Sequence, residues 1–357
     1  MNVLIVGLGY AGTRFLRAFS HINKNIDAKI NFAYVSRNPK RSDITYFKDI
    51  DMAIKQFNPE IVVVSVNDEF HTNVIKKLNG YTGFVICEKP LANTYDDLEL
   101  LENNLKDISG FCLDVVERYS DATIVLKEYV EQHNLRLVRA NFYWGKDRIN
   151  DHRPTAGVTS EIIHPLDLVQ WICAPDSELK LKNIQGVRSD FSISGSDVLD
   201  SVAITAYLDK AVVTGYSSFV NIVRKREVDL VFASPQKKLV YATMVFDTPV
   251  WDIDYLRIWE KTPSDENIIV DMKTSTNDSD PGLETIRKLI RLVTDVTGYV
   301  LKGKKPLQPF PDLQTAIKLQ RLLNTIESDA KTIGPVKYVV GNKRDVYNDE
   351  KSLERLG

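Results

Sequence analysis

The chain of 357 residues has few cysteines, no long apolar run and no excess of charge of either sign. Its three cysteines are scattered, with neither the spacing of a metal site nor the density of a disulfide scaffold, which indicates a reducing compartment. No apolar run approaches the length of a membrane span. A net charge of −2 gives no general attraction for nucleic acid or an anionic membrane. We therefore expect a cytoplasmic protein with no signal peptide, metal, nucleic-acid partner or membrane contact.

The order of strand-like and helix-like segments divides the chain into two parts. Up to about residue 120, apolar runs alternate with amphipathic stretches, as in a parallel sheet with right-handed crossovers. Over 183–260, successive strand patterns are separated by turns, as in an antiparallel sheet. We predict an α/β protein with three parts: a doubly wound parallel Rossmann sheet over 1–120, an α+β domain with an open, mainly antiparallel sheet over 121–340, and a charged tail over 341–357.

The predicted elements can be given by number. The strands of the first part are 2–6, 29–36, 61–66, 84–87 and 110–114, and its helices are 13–21, 50–56, 72–78 and 96–105. Further helices are predicted at 159–173, 282–301 and 311–334.

The opening MNVLIVGLGYAGTRF carries three glycines directly after a predicted strand and before a predicted helix. Gly7 permits a tight turn, Gly9 lets the backbone approach a pyrophosphate, and Gly12 lets helix and strand pack closely. Tyr10 and Ala11 lie in the same loop, at the helix N-terminus that favours negative charge. A glycine-rich turn of another α/β fold is the alternative. The strand–turn–helix context favours a dinucleotide site.

The end of the second predicted strand bears on which dinucleotide binds. An NAD site is expected to have an acidic residue there, which accepts from the ribose 2′-hydroxyl. This chain has Ser36 and Arg37 instead. An arginine pairs with a 2′-phosphate and stacks on adenine. We predict NADP, with NAD as the alternative if Arg37 is an ordinary solvated arginine.

A second motif, ICEKP, ends the fourth predicted strand, where an open parallel sheet builds its ligand site. Pro90 keeps the backbone of Lys89 out of the helical region, and the bond between them is a candidate for the cis form. A partly desolvated lysine beside a nicotinamide exchanges a proton with a substrate hydroxyl or carbonyl. The alternative is a surface lysine in a turn.

These motifs together are similar to those of the Gfo/Idh/MocA oxidoreductases. The resemblance rests on GLGYAG, IVVVSVNDEFH (61–71), CEKPLA, ERYSDA (117–122) and AGVTSEIIHPLDLVQW (156–171), and extends over nearly the whole chain. It implies a Rossmann domain, an α/β domain with an open sheet, and bound NAD or NADP. It also implies hydride transfer between nicotinamide and a carbinol or carbonyl carbon of a sugar, amino sugar or nucleotide-linked sugar.

The resemblance further implies a small-molecule substrate and assembly into a homodimer or homotetramer through the open sheet. Two alternatives stay open for the activity. The first is an imine reductase or other non-sugar reductase of the same family. The second is a non-enzymatic NAD(P)-binding regulator that has lost the active-site chemistry.

Roles for individual residues also come from the resemblance. Lys89 is implied as a catalytic lysine that also touches the nicotinamide ribose. His164 is implied as the general acid/base, because an unperturbed histidine titrates near neutral pH. The alternative for His164 is a packing histidine on a core-facing helix. The implied cofactor contacts are Ser65, Asn67, His71 and Glu88.

The sequence departs from the family pattern just before His164. Many members have aspartate four residues earlier and glycine two residues earlier, where this chain has Ser160 and Ile162. Glu161 either replaces the aspartate or has no part in proton transfer. Pro165 predicts a helix that starts near His164, because proline lacks the amide hydrogen of a helix interior.

The candidate substrate contacts are carboxylates on this helix and polar or aromatic side chains that precede it. Aromatic rings and arginines suit hydroxylated or anionic substrates, although ordinary packing explains them equally well. His164 and the aspartate of the H-x-x-D motif share one helix face. The predicted substrate-binding residues are Glu161, Asp167, Tyr143 and Arg148.

Overall fold

The computed structural model describes residues 1–24, 29–248, 250–274, 283, 285–341 and 344–346. Their internal packing forms two units. The first unit contains 1–116 and 286–324, and the second contains the described parts of 117–285 and 325–357. Within the ranges given above, none of the helices combines the length and the apolar character that a membrane span needs.

Helices and strands alternate from the N-terminus. The elements up to residue 113 are β1 (Asn2–Val6), α1 (Tyr10–Asn23), β2 (Asn31–Val35), β3 (Thr45–Phe47), α2 (Ile50–Phe57), β4 (Ile61–Val64), α3 (His71–Lys76), β5 (Phe84–Cys87), α4 (Leu98–Asn104) and β6 (Gly110–Leu113). The remaining elements are α5 (Asp121–Gln132), β7 (Arg136–Asp147), α6 (Thr159–Cys173), β8 (Leu179–Ser189), β9 (Val198–Leu208), β10 (Ala211–Ser218), β11 (Val220–Ala233), β12 (Leu239–Val245), β13 (Tyr255–Lys261), β14 (Glu266–Lys273), α7 (Arg287–Lys302), α8 (Leu313–Asp329) and β15 (Lys331–Val336).

The first unit is built on a six-stranded parallel sheet with the order β3-β2-β1-β4-β5-β6. The order proceeds outward in opposite directions from β1 and from β4, so the switch point of the sheet lies between these strands. Residues of β4 and β5 are fully buried, as expected for parallel strands covered on both faces. The carboxyl ends of β1 and β4 therefore mark the place where a ligand site is expected.

A late segment of the chain completes this first unit. The Phe84 ring lies 5.9 Å from that of Tyr299 and 5.4 Å from that of Phe310, measured between centroids. Helix α7 also packs on α1. Because these apolar contacts attach 286–324 to the Rossmann sheet, the division of the chain differs here from the predicted domain over 121–340.

The second unit is built on a nine-stranded sheet with the order β14-β13-β12-β11-β7-β10-β9-β8-β15. The pairs β7–β10 and β8–β15 are parallel, and the other pairs of this sheet are antiparallel. Helices α5 and α6 pack on each other and on strands of this sheet. The predicted fold class, a Rossmann sheet followed by a mainly antiparallel sheet, is confirmed.

Several predicted elements have different bounds in the structure. Strand β3 was not predicted, and 331–336 forms a strand where a helix was predicted to continue to residue 334. Gly334 has a φ of +114° and precedes a proline without an amide hydrogen, so a helix cannot continue there. Of the predicted helix 282–301, residues 282 and 284 lie outside the described residues. So does most of the predicted tail, within which Arg344 donates to Asn150 Oδ1 at 2.7 Å.

Candidate active site

Most of the residues predicted for cofactor binding lie at the carboxyl edge of the parallel sheet. Gly7 follows β1, Ser36 follows β2, Ser65 follows β4, and Glu88 follows β5. Because the strands are parallel, their carboxyl ends share one edge, which is where open α/β sheets bind ligands. The topology therefore brings together residues that are up to 81 positions apart in the sequence.

The glycine loop has the geometry of a phosphate-binding turn. Gly7 has a φ of +97°, and a Cβ there would lie 2.7 Å from Val66 atoms. A Cβ on Gly12 would lie 2.0 Å from the carbonyl oxygen of Gly7, so only glycine allows helix α1 to approach the strand this closely. Gly9 differs, because its Cβ would meet nothing within 4 Å. The loop is thus closed on its protein side and open at Gly9.

Helix α1 begins at Tyr10 with Gly9 as its N-cap. Its first turn contains no acidic residue, and no side chain caps it. The amide groups of a helix N-terminus attract negative charge. Together with the open space at Gly9, this end of the helix suits a negatively charged group, and the cofactor contacts of Tyr10 and Ala11 stay a prediction.

The loop after β2 is rich in cations. The side chain of Arg37 is exposed, and Lys40 Nζ donates to the carbonyl of Leu8, inside the glycine loop, at 2.9 Å. Ser36 Oγ donates to the carbonyl of Asn38. The next arginine, Arg41, is paired with Asp43. Lys40 therefore contacts the glycine turn directly, and Arg37 is an exposed cation of the same loop.

The residues after β4 divide into supporting and exposed positions. Ser65 is buried, and its hydroxyl lies 3.0 Å from the carbonyl oxygen of Gly7, so it supports the glycine turn from behind. Asn67 is exposed and available to a ligand. His71 is fully buried, with Nδ1 2.6 Å from the carbonyl oxygen of Pro90 and Nε2 3.1 Å from that of Val66. His71 therefore joins two loops of the sheet edge.

The Glu-Lys-Pro motif follows β5 directly. The amide of Glu88 donates to the carbonyl of Val64 at 2.9 Å, which continues the strand pairing for one residue. The Lys89–Pro90 bond is cis, and Lys89 and Glu88 are half-buried. Farther along, the amide of Ala92 donates to the side chain of Gln320 on α8 at 3.1 Å. The loop that carries Lys89 is thus attached to β4 through Glu88 and to α8 through Ala92.

Helix α6 carries His164, the candidate general acid/base of the second unit. It extends from Thr159 to Cys173 as one helix with Pro165 inside it, so the predicted helix over 159–173 is confirmed and the start near His164 inferred from Pro165 was wrong. An interior proline costs about 3 kcal/mol. Here every residue of the helix from Thr159 to Val169 is buried, and this packing outweighs the cost.

A short 3₁₀ turn, Val116–Tyr119, contacts the H-x-x-D face of α6. Glu117 Oε2 lies 2.7 Å from His164 Nδ1, and both side chains are buried. Arg118 Nε donates to Asp167 Oδ2 at 2.8 Å, and its Nη2 contacts the other carboxylate oxygen. Consecutive residues of the turn therefore bind residues three apart on the helix. Asp167, predicted as a substrate contact, is occupied by Arg118.

Glu161 lies in a buried network of charges and aromatic rings. Its carboxylate accepts from Trp144 Nε1 at 3.1 Å and from Arg226 Nη2 at 2.8 Å, and it lies 2.6 Å from Lys146 Nζ. Its side chain has no exposed surface. Asp247 binds Arg226 as well. With both carboxylate oxygens engaged, this arrangement favours a structural role for Glu161 over the predicted substrate contact.

Arg226 is the centre of this network. Burial alone would lower the pKa of Arg226, but the charges of Glu161, Asp247 and Glu117 raise it above its usual value. The guanidinium also lies over the rings of Trp144 and Trp251, 5.2 Å and 5.1 Å from their centroids. The arginine therefore remains charged and fixes the side chains around the histidine.

The other two predicted substrate contacts lie elsewhere. Tyr143 is on the face of β7 opposite to the buried Trp144, and its hydroxyl donates to Asn221 at 3.1 Å. Arg148 Nε lies 3.1 Å from Asp151, and its Nη2 donates to the carbonyl of Arg153. Both side chains therefore have protein partners, and their substrate role stays a prediction.

The charge of Asp151 balances this pair of arginines. Burial would raise the pKa of Asp151, but the hydrogen bond from Arg153 and the positive charges of Arg148 and Arg153 hold it well below its usual range. The carboxylate is therefore ionised and keeps both guanidinium groups in the loop before α6.

Sequence reasoning missed Glu117, Lys146 and Arg226. Glu117 lies in the ERYSDA segment, whose position after the last Rossmann strand was recognised without a role for its acid. Lys146 and Arg226 occupy sheet strands with no motif, so their convergence depends on strand register. Within the part of the chain that the structure covers, no group of three His, Cys, Asp or Glu side chains is arranged to hold a metal ion.

Comparison with known proteins agrees with this geometry. Residues 1–108 match the Gfo/Idh/MocA family, described as an oxidoreductase family with an NAD-binding Rossmann fold. Inositol 2-dehydrogenase of Salmonella paratyphi B is 20% identical over 182 residues, which cover 48% of this chain and 54% of that protein. The inositol 2-dehydrogenase/D-chiro-inositol 3-dehydrogenase of Lactiplantibacillus plantarum is 20% identical over 185 residues, or 49% and 53% of the two chains. The chain thus matches about half the length of these relatives.

The fold is similar to that of solved structures over nearly the whole chain. A levoglucosan dehydrogenase in complex with NADH and levoglucosan has a TM-score of 0.73 at 16% identity, with 92% of this chain and 97% of that chain covered. The aldose-aldose oxidoreductase of Caulobacter crescentus, complexed with glycerol, has a TM-score of 0.70 at 16% identity, with 93% and 97% covered. The predicted resemblance and two-domain fold are confirmed.

Proposed function

We propose that this chain is a nicotinamide-dependent dehydrogenase of a sugar or polyol, because residues 1–108 match the Gfo/Idh/MocA oxidoreductase family. The observation that carries the proposal is the glycine loop, which is closed by contacts at Gly7 and Gly12 and open at Gly9. The similar proteins with named activities include dehydrogenases of inositol and of levoglucosan, so a hydroxylated ring is the substrate class that we infer.

The chain's own residues would bind the dinucleotide and manage the proton. When bound, the nicotinamide supplies hydride transfer to or from a carbon centre. The glycine loop and the start of α1 hold the pyrophosphate, and Arg37 holds the adenosine end. Lys89 and His164 are the proposed proton-exchanging groups, because both are side chains suited to general acid–base catalysis. Sugars, amino sugars and nucleotide-linked sugars all present the hydroxyl group that this chemistry needs.

The finer assignments belong to the same proposal. NADP is the preferred cofactor, because the loop after β2 offers Arg37 and Lys40 where an NAD site has an acid. A cytoplasmic location follows from the low cysteine content.

A homodimer or homotetramer is part of the proposal as well. One cross-strand row on the second sheet contains large apolar side chains, with Tyr207 opposite Val212 and Tyr241 opposite Trp259. Tyr207 is 43% exposed and Val212 is 38% exposed. Isolated chains rarely expose such a row, so we infer that a second copy covers it. A monomeric mass by light scattering at micromolar concentration would contradict this assembly.

The test of the function is a screen with a matched binding control. NAD(P)H absorbance is followed in both directions against sugars, polyols, amino sugars and nucleotide-linked sugars. The variant Gly9→Asp is expected to fold normally, because nothing lies within 4 Å of its Cβ, yet to lose cofactor binding to the added carboxylate. The control is Gly195→Asp in the second unit, where an added Cβ would lie 3.6 Å from its nearest neighbour, a methyl group of Val198.

Turnover of one substrate class by wild type and by Gly195→Asp, but not by Gly9→Asp, supports the proposal. Cofactor binding without turnover of any panel member would instead favour the NAD(P)-binding regulator. Turnover of imines alone would favour the non-sugar reductase.

A further inference from the structure

The general acid/base candidate of the second unit has a carboxylate partner that the family resemblance did not supply. Glu117 Oε2 lies 2.7 Å from His164 Nδ1. The exposed fraction of the two side chains is 4% and 6%. A buried carboxylate is unfavourable unless it is paired, so a contact of this kind is held in place by the fold.

The guanidinium of Arg226 is farther from Glu117 than the imidazole is. Glu117 Oε1 is 3.9 Å from Arg226 Nη1, a longer distance than any other contact of that guanidinium with an acid. Arg226 already binds Glu161 at 2.8 Å and Asp247. His164 Nδ1 is therefore closer to the Glu117 carboxylate than Arg226 Nη1 is.

The position of the 3₁₀ turn against α6 determines the contact between Glu117 and His164. Glu117 and Arg118 are consecutive on the 3₁₀ turn, and Arg118 binds the carboxylate of Asp167 through Nε and Nη2. Because His164 and Asp167 are three residues apart on α6, the Arg118 contact sets the turn against the helix and presents Glu117 to the imidazole. The Trp144 ring, stacked 5.8 Å from the imidazole at an interplanar angle of 23°, limits rotation of the ring.

We propose that Glu117 is the positioning residue of His164. Its carboxylate, 2.7 Å from Nδ1, attracts the ring proton to that nitrogen by its charge, which leaves Nε2 as the ring nitrogen that exchanges a proton. A neutral imidazole has one protonated nitrogen, so fixing the proton on Nδ1 selects the tautomer in which Nε2 accepts. The proposal rests on the proposed dehydrogenase function only for its kinetic consequence.

The first test needs no substrate. Protein labelled with ¹⁵N in its histidine rings is examined by NMR, and His164 is assigned by comparison with His164→Asn. The neutral ring of wild type is expected to carry its proton on Nδ1. In Glu117→Ala the share of the Nε2-protonated tautomer is expected to rise. A wild-type ring protonated mainly on Nε2 would overturn the proposal, and so would identical His164 signals in wild type and Glu117→Ala.

The second test uses NAD(P)H and a substrate from the panel. Glu117→Gln keeps the size and an acceptor oxygen but removes the charge, so kcat is expected to fall by about ten-fold or more with KM nearly unchanged. Glu117→Asp is expected to restore part of kcat. The control is Glu327→Gln, which removes a carboxylate paired with Arg188 in the same unit.

The outcomes separate this proposal from the proposed function. Equal kcat values for wild type and Glu117→Gln would overturn the role of the charge, as would equal losses in Glu117→Gln and Glu327→Gln. If no panel member is turned over, the dehydrogenase proposal fails, while the NMR result still decides whether Glu117 positions the imidazole.

Discussion

His71 Nδ1 lies 2.6 Å from the carbonyl oxygen of Pro90, the residue that follows Lys89. On its other side, Nε2 lies 3.1 Å from the carbonyl oxygen of Val66. The imidazole has no exposed surface, so it joins the loops after β4 and β5 from within the protein. A residue expected to touch the cofactor thus holds the segment that carries the candidate catalytic lysine.

This arrangement predicts a double effect of His71→Ala. A buried carbonyl that loses its hydrogen-bond partner costs about 1–3 kcal/mol, so the thermal midpoint of unfolding should fall. The rate of turnover should fall as well, because the Lys89 loop loses a support, while NADPH affinity changes little. His133→Ala, at an exposed histidine on the surface of the second unit, is the control. Wild-type stability and turnover in His71→Ala would contradict the supporting role.

The second prediction concerns cofactor choice. Arg37→Ala should weaken NADPH much more than NADH, because only NADPH has the 2′-phosphate that the guanidinium pairs with. A hydrogen bond to a charged group contributes roughly 1.5–3 kcal/mol, so the loss should be about ten-fold or more. Calorimetric titration with both cofactors measures it.

Arg41→Ala is the matched control for this measurement. Arg41 belongs to the same loop, but its charge is paired with Asp43. Arg41→Ala should therefore change the affinities for NADPH and NADH by the same factor. Equal losses of NADPH and NADH affinity in Arg37→Ala would show that Arg37 does not read the 2′-phosphate.

The sequence predicts local geometry better than it predicts side-chain partners. The glycine spacing identifies the turn, because Gly12 packs against the carbonyl of Gly7 within the same strand–turn–helix unit. The alternation of strands and helices gives the parallel sheet for the same local reason. Strand β3 has three residues and pairs with β2, and no such local signal predicts it.

The partners of the charged side chains depend on long-range packing. Glu161 meets Lys146 and Arg226, which are 15 and 65 positions away, because β7 and β11 are neighbours in the second sheet. Glu117 reaches His164 through the register of a short turn on α6. Neither pairing has a sequence motif. Pro165 misled the prediction of the helix start because burial of the surrounding residues is invisible in the local pattern.

The third prediction follows from the buried network. Glu161→Gln should destabilise the protein strongly, because it removes the buried negative charge that Arg226 and Lys146 share. Removing one member of a buried ion pair costs about 3–5 kcal/mol. Denaturant unfolding measures the change. Glu266→Gln breaks an exposed pair with Arg257 and should cost about 1 kcal/mol or less. If both variants are equally stable, Glu161 is not held by the network, and its predicted substrate role regains support.

The last prediction concerns Lys89. Lysine to methionine keeps the apolar stem but removes the charge and the exchangeable proton. General acid–base catalysis contributes about 10²–10⁴ in rate, so kcat of Lys89→Met should fall by that factor. NADPH affinity should fall only modestly, because the glycine loop and Arg37 supply most of the proposed contacts. Nicotinamide fluorescence gives the affinity, and the panel substrate gives the rate.

Lys77→Met is the control for Lys89→Met, because Lys77 is an exposed lysine of the first unit that pairs with Asp51. It should leave both turnover and NADPH affinity at wild-type values. If Lys89→Met turns over within about three-fold of wild type, proton transfer by Lys89 is refuted, since acid–base catalysis is worth much more. A large loss of NADPH affinity with normal turnover at saturating cofactor would make Lys89 a cofactor contact alone. His164, held by Glu117, would then be the remaining candidate for the proton-exchanging group.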